Sequence, residues 1–510
     1  MIQELVNTWK DVSNKLNEAK IILSFIFLHF LTLYITYARI FWEKGGKMKY
    51  TINYENRVKE LLGDKQYKYY IDTMGCALNE NDSMKYSGIM SKMGMERTLD
   101  VDEANIILFN TCAIRENAED KLYGRLGTLK KRKSENSDLY ICIVGCMSQQ
   151  EHVINKIKES YRFVDVLLGT HSMQDFAKSL YMAIKEKKKV VSYVEDKTEL
   201  VEDIPIIYED SVKASVSIIY GCNNFCSYCI VPYVRGREKS RLPEDILKDI
   251  EYLAQNGYKE ITLLGQNVNS YGNDFKKQNI ENLKEYNFVS LLKDIDKIKG
   301  IEVIKFMSPH PKDFSDELIE YINENKKISR QIHLPLQSGS TKILKSMNRK
   351  YTKELYLDLA TKIKEKVPDV SFSTDIIVGF PGETEEDFLE TLDVVKKIKF
   401  SQIYMFIYSI RKGTVAEKME NQIDEKIKVD RLERLKKLFE ETLNQENETY
   451  VGKTFEILVE GKSKNNQKMY SGRTPSNKVV VFHGTEEDVG QIKKVKIIEN
   501  NLWYLTGQIL

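Results

Sequence analysis

The chain has 510 residues, more than one hydrophobic core usually serves, so about two to four domains are expected. An apolar share of 42% with 30% charged residues excludes the fibrous and disordered classes, while a net charge of +2 neither supports nor excludes a nucleic-acid partner, because a local basic face binds phosphate whatever the total. Seven cysteines, an odd number, fit metal ligation in a reducing compartment such as the cytoplasm better than a disulfide framework.

In chain order, residues 21–38 (IILSFIFLHFLTLYITYA) come first as an uncharged run just long enough to span a membrane, with Lys10, Lys15 and Lys20 before it and Arg39, Lys44 and Lys47 after. Three readings stand: an anchor or signal-like segment, a buried or interfacial helix, and a wrongly translated leader. The third is preferred, because EKGGKM resembles a translated ribosome-binding sequence with Met48 as the true start. Residues 1–63 are thus set apart as an N-terminal extension. No such run recurs, so the remaining chain is expected to be soluble.

From Lys68 onward, β-rich runs alternate with helical patterns as in stacked βα units. YKYYID (67–72), ANIILFN (104–110) and LYICIVG (139–145) read as strands, and residues 116–133 as a helix. Cys76, Cys112 and Cys146 each follow one strand, and in parallel α/β folds such positions meet at one sheet edge. This predicts a small α/β domain over 64–190, with Cys142 turned into its core by strand alternation. Residues 191–213 read as a linker. Six more runs follow, at 215–221, 260–268, 301–309, 330–337, 371–380 and 401–409, with helices around 244–256 and 354–366. They suit a partial (β/α)6 barrel over 214–447 better than a closed eight-stranded one, with active groups at the strand ends. A charged helix over 424–448 leads to short strands punctuated by Gly, Asn and Ser, the pattern of a small β-barrel over 448–510. Residues 450–510 hold nine Lys or Arg against six Asp or Glu, compatible with phosphate contact or with a merely solvated surface.

The sharpest chemical signal is GCNNFCSYC, in which Cys222, Cys226 and Cys229 form C-x3-C-x2-C just after a strand. Three thiolates hold three corners of a 4Fe-4S cubane and leave the fourth iron open, whereas electron-transfer clusters and structural zinc take four ligands. The amino and carboxylate groups of S-adenosylmethionine can chelate that iron, placing the sulfonium beside an electron donor whose hard chemistry the protein only positions. Tyr228 is placed to pack on the adenine or simply to shield the cluster. Gly265 and Gln266, Ser308, Asp375 and Arg349 lie at or after strand ends and are further cofactor candidates; Gly265 would let the backbone approach the methionine moiety, and Arg349 would pair with a carboxylate or ribose. Cys76, Cys112 and Cys146 form a second, dispersed signal for a three-cysteine cluster, against the alternative of ordinary core thiols. Just beyond the first cluster, VRGREKSR carries Arg235, Arg237, Lys239 and Arg241, candidates for holding a nucleic-acid backbone. TLKKRK (128–133) reads as readily as a surface charge run. No catalytic side chain is singled out.

YIDTMGCALNENDS, NTCAIRENAEDKLYGRLG, GCMSQQ, IIYGCNNFCSYCIVPYVRGREKSR, LLGQNVNSYG, HLPLQSGS with MNRKYT, and TDIIVGFPGETEEDF occur in the family order of the radical S-adenosylmethionine methylthiotransferases, which the chain resembles over nearly all of 67–510. The resemblance implies a methylthiotransferase N-terminal domain, a radical domain and a TRAM-like RNA-binding barrel. It implies two 4Fe-4S clusters, one on Cys222, Cys226 and Cys229 and an auxiliary one on Cys76, Cys112 and Cys146. One S-adenosylmethionine would methylate sulfur at the auxiliary cluster, and a second would yield the radical that removes a hydrogen from C2 of a prenylated adenine. NTCAIRENAE leans toward the branch acting on tRNA with N6-isopentenyladenosine at position 37. An electron donor such as flavodoxin or ferredoxin, a sulfur source and a monomeric state are further expectations. Rival substrates are threonylcarbamoyladenosine in tRNA and a ribosomal-protein aspartate, and a rival class is a non-catalytic iron-sulfur protein.

Overall fold

The structure, a computed structural model, describes residues 53–114, 118–192, 202–278 and 280–510. The apolar run at 21–38 and its three readings lie outside the described residues. Among the described residues no helix is long and apolar enough to cross a membrane.

After α1 (Tyr54–Leu62), the elements β1 (Lys68–Thr73), α2 (Ala77–Lys92), β2 (Glu96–Arg97), β3 (Ile106–Thr111), α3 (Ala118–Glu135), β4 (Tyr140–Gly145), α4 (Glu151–Ser160), β5 (Val166–Leu168), α5 (Phe176–Lys185) and β6 (Val190–Ser192) build one sheet of order β2-β1-β3-β4-β5-β6. Every pairing in it is parallel. Strands β3 and β4 are apolar nearly throughout because helices cover both faces. Ile107, Phe109, Ile141 and Ile143 pack with α3 and α4. Ile106, Leu108, Cys142 and Val144 pack with α2 and α5, so Cys142 is a core thiol. β5 and β6, three residues each, are not foreshadowed by the sequence pattern: such runs are too short for a period to show, and the expected linker begins inside β6.

The second layer contains β7 (Lys213–Ser217), β8 (Ile219–Tyr220), α6 (Val231–Val234), β9 (Lys239–Ser240), α7 (Pro243–Gln255), β10 (Glu260–Leu264), α8 (Phe288–Asp296), β11 (Val303–Phe306), α9 (Asp316–Glu324), β12 (Gln331–His333), α10 (Thr341–Ser346), α11 (Lys353–Lys366), β13 (Ser371–Val378), α12 (Glu385–Ile398) and β14 (Gln402–Ile407). Two parallel three-stranded sheets result, β7-β10-β11 and β12-β13-β14. A parallel bridge from Ile304 to Ile328 joins them, with Ser329 N donating to the Ile304 carbonyl at 2.9 Å. Six strands thus follow in one row, and among the described residues β7 and β14 do not pair, which leaves the partial barrel open. The run expected as one strand at 215–221 breaks after Ser217. β8 turns away to pair antiparallel with β9, closing the base of the loop that carries Cys222, Cys226 and Cys229.

After α13 (Glu425–Glu448), strands β15 (Thr454–Lys462), β16 (Tyr470–Arg473), β17 (Val479–Phe482), β18 (Ile492–Asn500) and β19 (Leu505–Ile509) close a barrel of order β15-β16-β17-β19-β18 around Ile457, Val459, Val480, Val495 and Leu505. It docks beneath the partial barrel, where Arg330 N donates to the Pro475 carbonyl at 2.9 Å and Ser371 Oγ to the Ser476 carbonyl at 2.8 Å. These contacts fall at the start of β12 and β13, the end opposite the cysteines.

Candidate active site

Cys76, Cys112 and Cys146 stand at the carboxyl ends of the adjacent strands β1, β3 and β4. A small amide network staples their turns together. Asn79 Nδ2 donates to Asn110 Oδ1 and to the Thr111 carbonyl, both at 3.0 Å, and Asn110 Nδ2 donates to the Asn79 carbonyl at 2.8 Å and to Ser83 Oγ at 2.9 Å. Thr111 Oγ1 reaches on to the Val144 carbonyl at 2.6 Å. Gly145, at φ 96°, leaves no room for a side chain: a Cβ would lie 2.5 Å from the Thr111 carbonyl oxygen. Cys76 caps the start of α2, so its sulfur sits at the positive end of that helix. Burial, eased by the charge of Arg235, raises the Cys146 thiol to about 11. Cys112 and Cys76 are near enough that their charges add to that rise.

Cys222, Cys226 and Cys229 lie on the loop closed by β8 and β9, with Cys222 N donating to the Gly236 carbonyl at 3.0 Å. Segment 346–349 clasps this loop from the other side. Ser227 N donates to the Met347 carbonyl at 3.0 Å, Ser227 Oγ to the Ser346 carbonyl at 2.8 Å and Asn348 Nδ2 to the Phe225 carbonyl at 2.9 Å. Burial raises the Cys222 thiol to about 11 and the Cys229 thiol further, with the charges of Cys226 and Cys222 adding to the latter.

Each cysteine set has one guanidinium against a sulfur. Arg235 Nε donates to Cys146 Sγ at 3.2 Å, and Arg349 Nη1 to Cys226 Sγ at 3.3 Å. Burial opposes each cation, yet both guanidiniums are held above the usual arginine range, Arg235 by Cys146 and Asp82 and Arg349 by Tyr351, Tyr228 and Cys226. An arginine fork in such a place complements a thiolate, and a metal deprotonates its thiols outright. Among the described residues no group of three or more His, Cys, Asp or Glu is set to hold a single metal ion. Each set offers three cysteine sulfurs with an arginine N–H donor against one of them, the donor chemistry that iron-sulfur clusters take.

The cofactor candidates gather at the same rim. Tyr228 meets Phe380 edge-on at 6.5 Å and packs against a small apolar core that also holds Ile343, Met347 and Tyr408. At Gly265 a Cβ would lie 2.4 Å from Cγ2 of Ile219, so strand packing by itself requires a residue this small there. Arg349 donates to Cys226 Sγ and, through Nε, to Tyr351 OH at 3.0 Å, which places its guanidinium at the radical loop. Gln266 and Ser308 stand half-buried after β10 and β11. Asp375 Oδ2 lies 3.5 Å from His333 Nε2, and His333 Nδ1 is 3.0 Å from Ser373 Oγ, a polar cluster along the barrel wall. Phe225, Ser308, Gln337 and Asn348 all have positive φ, between 45° and 70°, and their concentration around the cysteine loop and strand ends marks strain held by the surrounding bonds.

Family models match the chain in three places: the Radical SAM superfamily over 216–395, the Uncharacterized protein family UPF0004 over 68–169, and the TRAM domain over 448–510. The tRNA-2-methylthio-N(6)-dimethylallyladenosine synthase of Thermoanaerobacter pseudethanolicus is 46% identical over 478 residues, covering 94% of this chain and 98% of the relative. The proteins of that name from Acetivibrio thermocellus and Clostridium botulinum strain Eklund 17B are 47% and 49% identical over 455 residues, 89% of this chain and 93% and 98% of theirs. The chain belongs to the tRNA-2-methylthio-N(6)-dimethylallyladenosine synthase family. It is a radical S-adenosylmethionine methylthiotransferase with cofactors of the iron-sulfur and S-adenosylmethionine class.

For this methylthiotransferase the basic run after the cysteine loop divides sharply. Arg235 is only 6% exposed and is held by Cys146 and by Asp82 at 2.9 Å. Arg241, also buried, pairs with Glu202 at 2.5 Å and Asp249 at 2.8 Å. Neither faces a nucleic acid, which corrects the reading of both as backbone contacts. Arg237 remains exposed, stacked 4.3 Å over Phe225, and Lys239 is half-buried. In TLKKRK, Arg132 and Lys133 likewise bind the Ala104 carbonyl at 2.7 Å and Asp165 at 2.8 Å. Asn79 and Asp82 are site residues that pattern reading missed. Asn79, Asp82 and Ser83 lie buried in the first half of α2, whereas the apolar stripe Tyr86, Ile89 and Met90 comes in its second half, so the first half is buried through polar contacts. His310 is buried among cations: burial, with Arg349 and Lys312 nearby, holds it down at about 2, and its Nδ1 accepts from Lys312 N at 3.2 Å.

Proposed function

We propose that the enzyme attaches a methylthio group to C2 of N6-isopentenyladenosine at position 37 of tRNA. The observation that carries this reading is the gathering of six cysteines in two sets of three, one with Arg235 and the other with Arg349 against a sulfur, in a chain 46% to 49% identical to synthases named for that product. Cys222, Cys226 and Cys229 would hold one 4Fe-4S cluster with an open iron, and Cys76, Cys112 and Cys146 the other. Bound there, the clusters and S-adenosylmethionine supply an electron, a methyl group, sulfur and a radical able to remove an unactivated hydrogen. The protein's own part is placement. Asn79, Asn110 and Thr111 lock the sulfur-bearing turns, the 346–349 clasp fixes the radical loop, and Tyr228 with Phe380 walls the cofactor side from water. Ser308, Gln266 and Asp375 at the rim are proposed to contact the cofactor, and Arg237 and Lys239 the RNA backbone. Domain limits at 64–190, 214–447 and 448–510, with an extension to 63 and a linker at 191–213, go with this reading. So do a flavodoxin- or ferredoxin-like donor, a separate sulfur source, a monomer and a cytoplasmic setting, in which cysteines outside disulfides are the rule.

Anaerobically reconstituted enzyme should contain about eight irons per chain, two four-iron clusters. Given tRNA bearing the prenylated base, it should yield a methylthio adduct detectable by mass analysis. No adduct on that base, with an adduct on threonylcarbamoyladenosine tRNA or a ribosomal-protein aspartate, reassigns the substrate. Cys226→Ala should abolish cofactor cleavage, whereas Cys112→Ala should impair sulfur insertion more than cleavage. Equal loss in both variants would defeat the division of roles.

A further inference from the structure

We propose that Arg235 is the positioning residue that ties the two cysteine sets together and sets the reduction potential of the centre on Cys76, Cys112 and Cys146. The inference rests on the reading of that set as an iron-sulfur site. Arg235 follows α6, whose Val234 packs with Ile230 in the same core as Cys146. Its backbone N donates to the Val231 carbonyl at 2.8 Å, and the next residue, Gly236, accepts the Cys222 N–H at 3.0 Å. The side chain crosses to the first layer, giving Nε to Cys146 Sγ at 3.2 Å and Nη2 to Asp82 Oδ2 at 2.9 Å. Arg235 and its neighbour Gly236 therefore join the base of the radical loop, a sulfur of the other set and helix α2.

The side chain is 6% exposed and the Asp82 side chain 12%, so water screens neither partner. A donor to sulfur and a nearby cation favour the more negative, reduced state of a cluster, whereas a nearby carboxylate disfavours it. Arg235 and Asp82 thus pull in opposite directions on one centre while making a single ion pair. Lysine cannot replace the fork, because a point charge does not span two acceptors.

The test uses the full chain carrying Cys222→Ala, Cys226→Ala and Cys229→Ala, so that only the other set binds iron, with potentiometric titration followed by electron paramagnetic resonance. Arg235→Gln should lower the reduced-to-oxidised ratio at fixed potential about tenfold, equal to about 59 mV for one electron. Arg235→Lys should lower it less, and Asp82→Asn should raise it. Opposite signs for Arg235→Gln and Asp82→Asn support the proposal. Shifts of the same sign, as a merely loosened structure would give, or unmoved potentials with iron in place, overturn it. A parent triple variant that binds no iron would overturn the cluster reading as well. In the chain with both sets intact, Arg235→Gln should raise the S-adenosylmethionine cleaved per methylthio group inserted by about tenfold, and an unchanged ratio counts against the tie between the sets.

Discussion

Asp387 joins two sequence motifs through one carboxylate. It accepts from Ser340 Oγ and from Lys342 Nζ, each at 2.6 Å, and closes a capping box with Thr384 at the start of α12. Burial works against its charge, but Lys342, Ser340 and Thr384 outweigh it and hold the carboxyl down at about 2. Because this lies below the unfolded value, the contribution is full above about pH 4 and lost as pH falls toward about 2. Asp387→Asn should therefore cost about 2 kcal/mol near pH 6, read from urea midpoints of the iron-free chain, with the gap to the parent closing on acidification. The residues that spacing makes legible are those whose type is rare and whose place is tied to strand ends, above all the six cysteines gathered in two groups. Arg235 and Arg241 escape such a reading because a basic run shows charge, not burial, and their partners Asp82 and Glu202 lie far away in sequence. Gly265 escapes it for a related reason: the side chain that forbids a Cβ belongs to β8, an element whose turn away from β7 no local pattern announces.

At the scale of elements, the strand-to-turn junctions position the sulfur atoms. β4 delivers Cys146 through Gly145, whose φ of 96° and 2.5 Å clearance at the Cβ position exclude any other residue without moving Thr111. Gly145→Ala should displace the junction, and since an L-residue is strained there and the clash is with backbone, a destabilisation of about 1 to 3 kcal/mol is expected. Iron analysis of the reconstituted variant should show roughly half the parent content, the shortfall belonging to the Cys76, Cys112 and Cys146 set. Full iron content would show that the junction tolerates the shift. The long strands are legible because β3 and β4 are apolar nearly throughout and β13 runs eight residues. Helix α2 is not legible as an interface, since it docks by Asn81 on the Ser215 carbonyl at 2.9 Å and by Lys85 on Tyr220 at 2.6 Å, contacts invisible to hydrophobic periodicity.

Across the whole molecule, a charge network seats the terminal barrel beneath the six-stranded row, away from the cysteines. Glu460 of β15 meets Lys213 of β7 at 2.7 Å and Arg473 of β16 at 3.2 Å, while Lys305 of β11 pairs with Glu260 of β10 at 2.8 Å. Burial alone would raise the Glu460 carboxyl, but Arg473, Lys213 and Lys305 hold it below the ordinary carboxylate range, whereas burial keeps Lys305 below the ordinary lysine range despite Glu260. The Glu460 contribution is therefore present at neutral pH and lost as pH falls through its depressed value. Glu460→Gln takes the shared carboxylate away from Lys213 and Arg473, and removing one partner of such a buried network costs about 3 kcal/mol. Hydrogen exchange should then quicken at the Arg330 amide, which is protected by the Pro475 carbonyl, more than at amides of β3 and β4. Equal quickening everywhere would mean global destabilisation, and none would mean that the backbone bonds at Arg330 and the Ser371 to Ser476 contact hold the barrel in place without the charges.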